Sequence, residues 1–255
     1  MQDDDSTTRG GIQAIARAGR VLRALEAAPE GLTLAALSSD VDLPKSTVHR
    51  LVAALTAEEL VTTAPGGEIR LGGGLARLGA ATRQTLRHEL RPVLEALRDE
   101  VDETVDLAVL DGGGMRFVDQ LAADHRLRAV SAVGVSFPLY CTANGKAMLA
   151  ALPDDRVAAL LPPRLEAHTP ATMTSRAELG RELERIRAAG VAFDREEHTE
   201  GISAVGAAVH DTAGPVAAIS IPVPTARFAR DEQRYADAAR RAAVTASQRL
   251  GGMRG

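Results

Sequence analysis

The chain of 255 residues is long enough for one large domain or for two domains of ordinary size, each with its own hydrophobic core. Its apolar content of 45% is that of a globular protein, but aromatic residues make up only 2%, which argues against base-stacking platforms for single-stranded nucleic acid. The formal net charge of −4 argues against a protein that coats nucleic acid through bulk charge, yet it allows a local basic face.

Three further features of the composition point to the cytoplasm. The sequence has no run of about 18 apolar residues that could cross a membrane, and its start, Met1–Asp5, is acidic where a secretory signal is basic and then apolar. The single cysteine, Cys141, excludes an internal disulfide and a multi-cysteine zinc site, and it fits a reducing compartment. We therefore expect a cytoplasmic protein with no membrane partner, no metal and no cofactor.

The first 73 residues show the pattern of three helices followed by a β-hairpin. Apolar residues recur at helical spacing between Ile12 and Ala27, and Thr33 is placed to cap a short second helix. Pro44 suits the first turn of a third helix, whose inward stripe at i, i+3, i+4 and i+7 is Val48, Leu51, Val52 and Leu55. Two short strand-like segments, 60–63 and 68–71, flank a Pro-Gly-Gly turn. This order predicts a winged helix-turn-helix.

The outward face of the third helix is short, polar and cationic, which suits a recognition helix in the DNA major groove. The predicted DNA contacts are Thr33, Lys45, Ser46, Thr47, His49, Arg50 and Arg70. The alternative is the solvated face of an ordinary three-helix bundle. Between Arg9 and Ala57 six basic residues stand against four acidic ones, so the local charge is only modestly positive.

After three glycines at 72–74, apolar residues recur first at helical spacing and then at every second position, which is the spacing of strands. Leu75, Leu78 and Leu86 mark a helix, and Pro92 is expected to open another that runs to about Glu100. Strands are then predicted at 105–109, 115–121, 127–132, 191–196, 202–210 and 217–223. Helices are predicted at 145–151, 154–161, 175–189 and 231–250. The second domain is thus expected to be α+β with a largely antiparallel sheet.

These elements give a two-domain organisation with a helical connection. We predict a disordered N-terminus at 1–9, a DNA-binding domain at 10–73, a linker helix at 74–90 and an effector domain at 91–250. The Arg-Gly tail at 249–255 is also expected to be disordered.

Specific motifs resemble those of the IclR family of bacterial transcription regulators over nearly the whole chain. They are 31–34, 43–51 and 69–72 in the first domain, and 103–105, 142–147, 194–197 and 201–209 in the second. The resemblance implies a dimer or a dimer of dimers, a linker helix, and a GAF-like C-terminal domain that senses a small molecule. The chain has two lysines beside 28 arginines, and both lysines, Lys45 and Lys146, lie inside these motifs.

The turn at Thr142–Gly145 suggests an effector site. It would open a helix whose free backbone N–H groups can hold a carboxylate, although an ordinary hydrated helix N-terminus has the same pattern. The resemblance implies that the effector contacts are Thr142, Ala143, Asn144, Asp194, Glu197, Ile202, Ser203, Ala204, Ser220 and Pro222. The sequence departs from the family at Cys141, where histidine is common, at Pro222, which replaces a small polar residue, and at 203–204, which lacks a frequent cysteine.

Other chemistries find less support in the sequence. Asp194, Glu196, Glu197 and His198 include the usual metal ligands and acid–base groups, but on a strand Asp194 and Glu196 share a face that Glu197 does not. A nucleophilic Cys141 lacks an evident neighbouring base. The three glycines at 112–114 have no following Lys-Ser/Thr and indicate a hairpin turn rather than a phosphate-binding loop.

The sequence therefore predicts a repressor or activator that responds to a small organic acid and binds a palindromic operator as a dimer. Two alternatives remain open at this point. One is a hydrolase or lyase acting on small acids, with an N-terminal partner-binding module. The other is a regulator whose second domain only dimerises.

Overall fold

The computed structural model describes residues 4–129 and 131–252. The chain divides into two compact units, Met1–Gln84 and Thr85–Gly255. The division falls within the segment 74–90 that was predicted to link the domains. In the described residues no helix combines the length and the apolar character needed to cross a bilayer.

The first unit contains three helices and a two-stranded hairpin. Its elements are α1 (Asp4–Glu26), α2 (Leu34–Asp40), α3 (Lys45–Ala57), β1 (Val61–Thr63) and β2 (Ile69–Leu71). Their shared core consists of Val21, Leu25, Leu37, Val41, Val48, Leu55, Val61 and Ile69. One residue or more from each element enters this core, and β1 pairs with β2 in antiparallel register. The predicted winged helix-turn-helix is confirmed.

The tight turn between α2 and α3 is fixed by local hydrogen bonds. The hydroxyl of Ser38 donates to the carbonyl oxygen of Leu43 at 2.6 Å, and Asp42 adopts a left-handed conformation with φ of 50°. Aspartate tolerates that region better than most residues. In the helix that follows this turn, Val48 faces the core and Arg50 is exposed.

A single helix, α4 (Gly73–Val101), runs through the division between the units. The prediction of two helices separated at Pro92 was wrong, because Pro92 lies inside α4. A proline removes one helical hydrogen bond, but Pro92 is exposed to solvent on the outer face. The inner face is buried through Leu90, Leu94 and Leu97, so packing maintains the helix through the proline.

The second unit is an α+β domain built on one antiparallel sheet. Its strands are β3 (Val105–Asp111), β4 (Gly114–Leu121), β5 (Ser136–Pro138), β6 (Ala192–Arg195), β7 (Ile202–His210) and β8 (Pro215–Pro224). Its helices after α4 are α5 (Ala143–Ala151), α6 (Asp154–Leu160), α7 (Arg176–Ala189) and α8 (Thr225–Arg249). The strand order is β5-β4-β3-β8-β7-β6, and every named neighbour pair is antiparallel. The predicted sheet is confirmed.

The two faces of this sheet have different neighbours. Leu107 and Ile219 face α4 and α8 and belong to the larger apolar core. Their strand neighbours Asp106 and Ser220 point to the opposite face, on the side of α5 and α7. Because side chains alternate along a strand, the register of β3 and β8 decides which polar groups are brought together on the α5 side.

A β-bulge in β4 interrupts that alternation. Leu107 pairs with Asp119 and Ala108 pairs with Phe117, so Val118 is an extra residue on β4. Val118 packs against the core on the α4 side, and Asp119 receives hydrogen bonds from Nη1 of Arg91 on α4 at 2.8 and 3.1 Å. Val118 and Asp119, which are consecutive, therefore both face α4. Phe117, before the bulge, faces the α5 side of the sheet.

Several predicted boundaries need correction. The segment predicted as a disordered N-terminus, 1–9, is helical from Asp4 onward, and residues 1–3 lie outside the described part. The described residues of 127–132 form no strand, and β5 was not predicted. The last helix begins at Thr225, with non-helical backbone angles at Asp231, where the helix had been expected to start. In the tail, Gly251 pairs with Asp211, while 253–255 lie outside the described part.

Candidate functional site

The exposed face of α3 presents most of the predicted DNA contacts together. Lys45, Ser46, His49 and Arg50 are exposed, and Thr47 is half-buried. On the opposite side of α3, Val48 and Leu55 are buried in the core. A short helix with donors on one side and its apolar side anchored has the form needed to enter a major groove.

Thr33 and Arg70 have structural partners within the first unit. The hydroxyl of Thr33 caps α2 by accepting a hydrogen bond from the backbone N–H of Ala36 at 3.2 Å. Nε of Arg70 donates to the carbonyl oxygen of Glu30 at 2.9 Å. Both residues are exposed, and their contacts with DNA stay a prediction.

Arg17 of α1 is a neighbour of α3 that the sequence did not single out. It lines a shallow surface hollow together with Thr47, Arg50 and Leu51. Its position could have been inferred only from the packing of α1 against α3, because its helix carries other arginines at similar intervals.

The second unit contains a cavity of about 400 Å³ on the α5 side of the sheet. Eight of the ten predicted effector contacts line it, namely Thr142, Ala143, Asn144, Asp194, Ile202, Ala204, Ser220 and Pro222. Residues far apart in sequence meet here because β7 pairs with β8, which sets Ala204 opposite Pro222. The start of α5 closes on the same region.

The other two predicted contacts, Ser203 and Glu197, do not line the cavity. Ser203 alternates with Ile202 and Ala204 along β7, so its hydroxyl points to the other face and lies 3.0 Å from Oγ1 of Thr225. Glu197 is buried behind the cavity wall, where its Oε1 accepts a hydrogen bond from Nζ of Lys146 at 2.5 Å. Neither side chain faces the cavity, and their contact with an effector stays a prediction.

The first turn of α5 lies directly against β7. A Cβ atom on Gly206 would come within 2.8 Å of the backbone nitrogen of Asn144, so only glycine permits this approach. The hydroxyl of Thr142 donates to the carbonyl oxygen of Pro138 at 2.8 Å and accepts from the backbone N–H of Gly145 at 3.2 Å. Asn144 is 2% exposed, and no described residue donates to its Oδ1.

Asp106, which the sequence did not suggest, is a buried carboxyl in the cavity wall. Its Oδ1 accepts from Nε2 of Gln120 at 2.7 Å and its Oδ2 accepts from Oγ of Ser131 at 2.7 Å. Burial raises its pKa to about 6, and these two hydrogen bonds oppose the shift. Asp106 alternates with the core residues Val105 and Leu107, so strand periodicity could have placed it on this face.

Asp194 is the second buried carboxyl of the cavity. Its Oδ1 accepts from the backbone N–H of Glu197 at 2.7 Å. Burial raises its pKa to about 7, and the nearby charge of Glu197 also raises it. The sequence had grouped Asp194 with Glu196, but β6 ends at Arg195 and Glu196 has a φ of 62°, so Glu197 turns back toward Asp194 instead.

Behind the wall, Lys146 and Glu197 form a buried ion pair with exposed side-chain fractions of 0% and 9%. Burial raises the pKa of Glu197, and the ammonium of Lys146 opposes that shift. Oγ1 of Thr172 donates to the carbonyl oxygen of Glu197 at 2.6 Å. These contacts fix the segment that presents Asp194 and His198 to the cavity.

The remaining lining residues come mostly from irregular segments, including the described part of 127–132, which had been predicted as a strand. They are Phe117, Arg128, Ala129, Ser131, Phe137, His198 and Thr199. The rings of Phe137 and His198 are stacked with centroids 4.2 Å apart, and Phe117 meets Phe137 edge-on at 5.0 Å. Arg128 is the one guanidinium among the described lining residues.

Both units of the chain match known protein families. Residues 14–65 match the model of the IclR helix-turn-helix domain, and residues 78–248 match that of the bacterial transcriptional regulator IclR C-terminal domain. The chain belongs to the IclR family. It is 49% identical over 237 residues to the HTH-type transcriptional regulator Rv1719 of Mycobacterium tuberculosis, a match that covers 92% of each protein.

Two further similarities support the assignment to the IclR family. The HTH-type transcriptional regulator TtgV of Pseudomonas putida is 37% identical over 231 residues, covering 90% of this chain and 88% of that protein. The crystal structure of the Thermotoga maritima IclR has 27% sequence identity and a TM-score of 0.64, covering 94% of this chain and 99% of that one. This IclR-family chain is thus a DNA-binding transcription regulator with the two-domain architecture of its family.

The catalytic and metal alternatives gain nothing from the geometry of this IclR-family chain. Burial raises the pKa of Cys141 to about 12, and the charges of Asp194 and Glu197 also raise it, which leaves the thiol a poor nucleophile. Within 4–129 and 131–252, no three histidine, cysteine, aspartate or glutamate side chains are arranged to hold a metal ion. The similar proteins named above are transcription regulators.

Proposed function

We propose that this regulator is a repressor or activator that responds to a small organic acid bound in the second unit. The cavity is the observation that carries the proposal. It has about 400 Å³ of space, and both buried polar groups and apolar side chains face it. Small-molecule sites in proteins combine these features.

Two positively polarised groups make a carboxylate the preferred ligand. Arg128 is a lining residue, and its Nη1 donates to the carbonyl oxygen of His125 at 3.0 Å. The first turn of α5 contributes backbone N–H groups at the positive end of a helix dipole. The raised pKa values of Asp106 and Asp194 reduce the negative charge of the wall near neutral pH. An acid therefore meets less repulsion than two ordinary aspartates would cause.

On the DNA side we propose a homodimer, or a dimer of dimers, that reads a palindromic operator. Each protomer would place α3 in a major groove, with Lys45, His49 and Arg50 reaching base edges and phosphates. Thr33 at the start of α2 and Arg70 on β2 are exposed and would contact the DNA backbone. We place this activity in the cytoplasm.

The proposal is tested by measuring how acids change DNA affinity. The full chain is used to select duplexes from a random library, and a selected duplex is titrated by fluorescence anisotropy with the sodium salts of acetate, pyruvate, succinate, butyrate or benzoate. We expect at least one acid to change the affinity by about tenfold, a typical coupling between two sites. An Arg128→Gln variant should need more of that acid for the same effect.

Other outcomes would contradict the proposal in distinct ways. Acids that raise the unfolding temperature without changing DNA affinity would show binding without regulation. If none of the acids binds while the dimer still selects a palindrome, the second unit serves dimerisation alone. Turnover of an acid, followed by proton NMR, would restore the enzyme alternative.

A further inference from the structure

One buried polar atom in the cavity lacks a partner. Asn144 lines the cavity and is 2% exposed, and its Oδ1 accepts no hydrogen bond from any described residue. A molecule that displaces water from such an acceptor loses affinity unless it supplies a donor in return. The amide oxygen of Asn144 therefore discriminates between ligands that carry a donor and ligands that do not.

Three neighbouring polar residues already have hydrogen-bond partners. The hydroxyl of Thr142 has two backbone partners, and both oxygens of Asp106 accept side-chain hydrogen bonds. Oδ1 of Asp194 accepts from the backbone N–H of Glu197. Among the side chains of these four residues, Asn144 has the one fully buried acceptor to which no described residue donates.

This distribution favours a hydroxyl group over an ammonium group as the donor. An ammonium has three donors to satisfy and loses strong hydration on burial, while a hydroxyl needs one acceptor. The cavity offers Oδ1 of Asn144 for such a donor and the guanidinium of Arg128 for an acidic group.

We propose that the effector is a hydroxy acid, whose carboxylate is held by Arg128 and the first turn of α5 and whose hydroxyl donates to Oδ1 of Asn144. The proposal rests on the proposed function, since it assumes that an organic acid occupies this cavity. It adds that the acid must bear a hydroxyl group.

The test compares acids that differ by one hydroxyl group. Butyrate and benzoate are each titrated into the full-length protein by calorimetry, beside all of their monohydroxylated isomers and the aminobutyrates. We expect at least one hydroxylated isomer to bind tenfold or more tightly than its parent acid, which corresponds to about 1.4 kcal/mol. Binding sites built to hydrogen-bond a hydroxyl discriminate in this way.

Variants then assign the preference to one atom. In Asn144→Leu the preference for the hydroxylated acid over its parent acid should fall below about twofold. The variant has no amide oxygen that the parent acid would leave without a hydrogen-bond donor. Asn144→Asp, which keeps an acceptor of the same shape, should retain the preference while binding every acid more weakly through charge repulsion. Ser203→Ala is the matched control, because Ser203 is equally buried on β7 but faces away from the cavity.

Three results would overturn the inference. They are equal binding of every parent and hydroxylated acid, a hydroxyl preference that survives in Asn144→Leu, and tighter binding of an aminobutyrate than of any hydroxybutyrate. Each leaves the proposed function intact, because an acid would still bind. If Asn144→Leu does not fold, the inference is tested with Asn144→Asp alone. This variant should keep the hydroxyl preference and bind every acid more weakly, and loss of the preference would contradict the inference. The proposed function itself fails if no carboxylic acid binds, or if the acids that bind leave DNA affinity unchanged.

Discussion

The two units of this regulator present their functional residues in opposite ways. On α3 of the first unit, Lys45, His49 and Arg50 are exposed and make no contribution to the core. In the second unit Asn144 and Asp194 are 2% and 6% exposed. Exposed contacts can change without disturbing the fold, whereas a substitution in the cavity changes both ligand binding and stability. The predictions below test that separation.

The largest effect is expected from Lys146→Met, which removes one partner of the buried ion pair. The carboxylate of Glu197 would remain buried without its cation, and such losses cost about 3–5 kcal/mol of unfolding free energy. Urea denaturation followed by circular dichroism measures this change. Amide hydrogen exchange should show that the core of the first unit, around Val48, keeps its protection.

The double variant Lys146→Met/Glu197→Leu serves as the control for that experiment. Removing both charges should restore a large part of the lost stability, because no unpaired charge is then buried. A single variant as stable as the parent would show that Lys146 is not needed to hold Glu197.

Asp106→Asn should make the second unit more stable at alkaline pH. The pKa of Asp106 is raised from 3.8 to about 6 on folding, so its ionisation opposes folding as the pH rises through that range. An asparagine carries no charge, and it can accept from Gln120 through its oxygen while its amide nitrogen donates to the hydroxyl oxygen of Ser131. The gain should approach about 3 kcal/mol above pH 7, at roughly 1.4 kcal/mol per pKa unit.

The sign of the pH dependence is the decisive observation for Asp106. Thermal unfolding at pH 8 should favour the asparagine variant. Below about pH 3 the parent carboxyl is protonated in both the folded and the unfolded state, so the two proteins should be equally stable there. A variant that is less stable than the parent at pH 8 and equally stable at acidic pH would mean that the charged carboxylate stabilises the fold.

Arg50→Ala should weaken binding to the selected duplex by about tenfold to a hundredfold, the cost of one base or phosphate contact. Its unfolding free energy should stay within about 0.5 kcal/mol of the parent, because the residue is exposed. Affinity for an acid should not change. Arg230→Ala, at an exposed arginine on α8, is the matched control, and normal DNA affinity in Arg50→Ala would remove α3 as the recognition helix.

The smallest effect is expected at Thr33, whose side chain caps α2 and is also predicted to contact DNA. Thr33→Ala removes the cap of α2 and should lower the stability of the first unit by about 1 kcal/mol. Thr33→Ser keeps a capping hydroxyl and should recover most of that loss in thermal unfolding. If DNA affinity falls in both variants, Thr33 contacts DNA as well as capping α2.

Prediction from the sequence succeeded where the determining interactions are local. The helical period placed Val48 inward and Arg50 outward on α3, and strand alternation placed Ser220 on the cavity side and Ile219 in the core. Packing overrode a local signal at Pro92, which stays helical because the opposite side of α4 is buried.

Non-local features of the cavity were beyond the reach of periodicity. Arg128 lies in an irregular segment, whose path depends on tertiary contacts such as the hydrogen bond from Thr104 to the carbonyl oxygen of Ala129. The bulge at Val118 reverses the alternation that would have placed Phe117 and Asp119 on one face. The sequence predicted that Asp194 and Glu196 share a strand face. Because the chain turns at Glu196, the residue next to Asp194 is Glu197 instead.

The placement of the two lysines should allow selective acylation of one lysine side chain in the folded protein. Lys146 is 0% exposed and bound to Glu197, whereas Lys45 is exposed at the first position of α3. An acylating reagent that targets amines should therefore modify Lys45 in the folded protein and leave Lys146 unmodified. Peptide mass spectrometry would then report occupancy of the recognition helix by DNA, without a fluorescent label or an introduced cysteine.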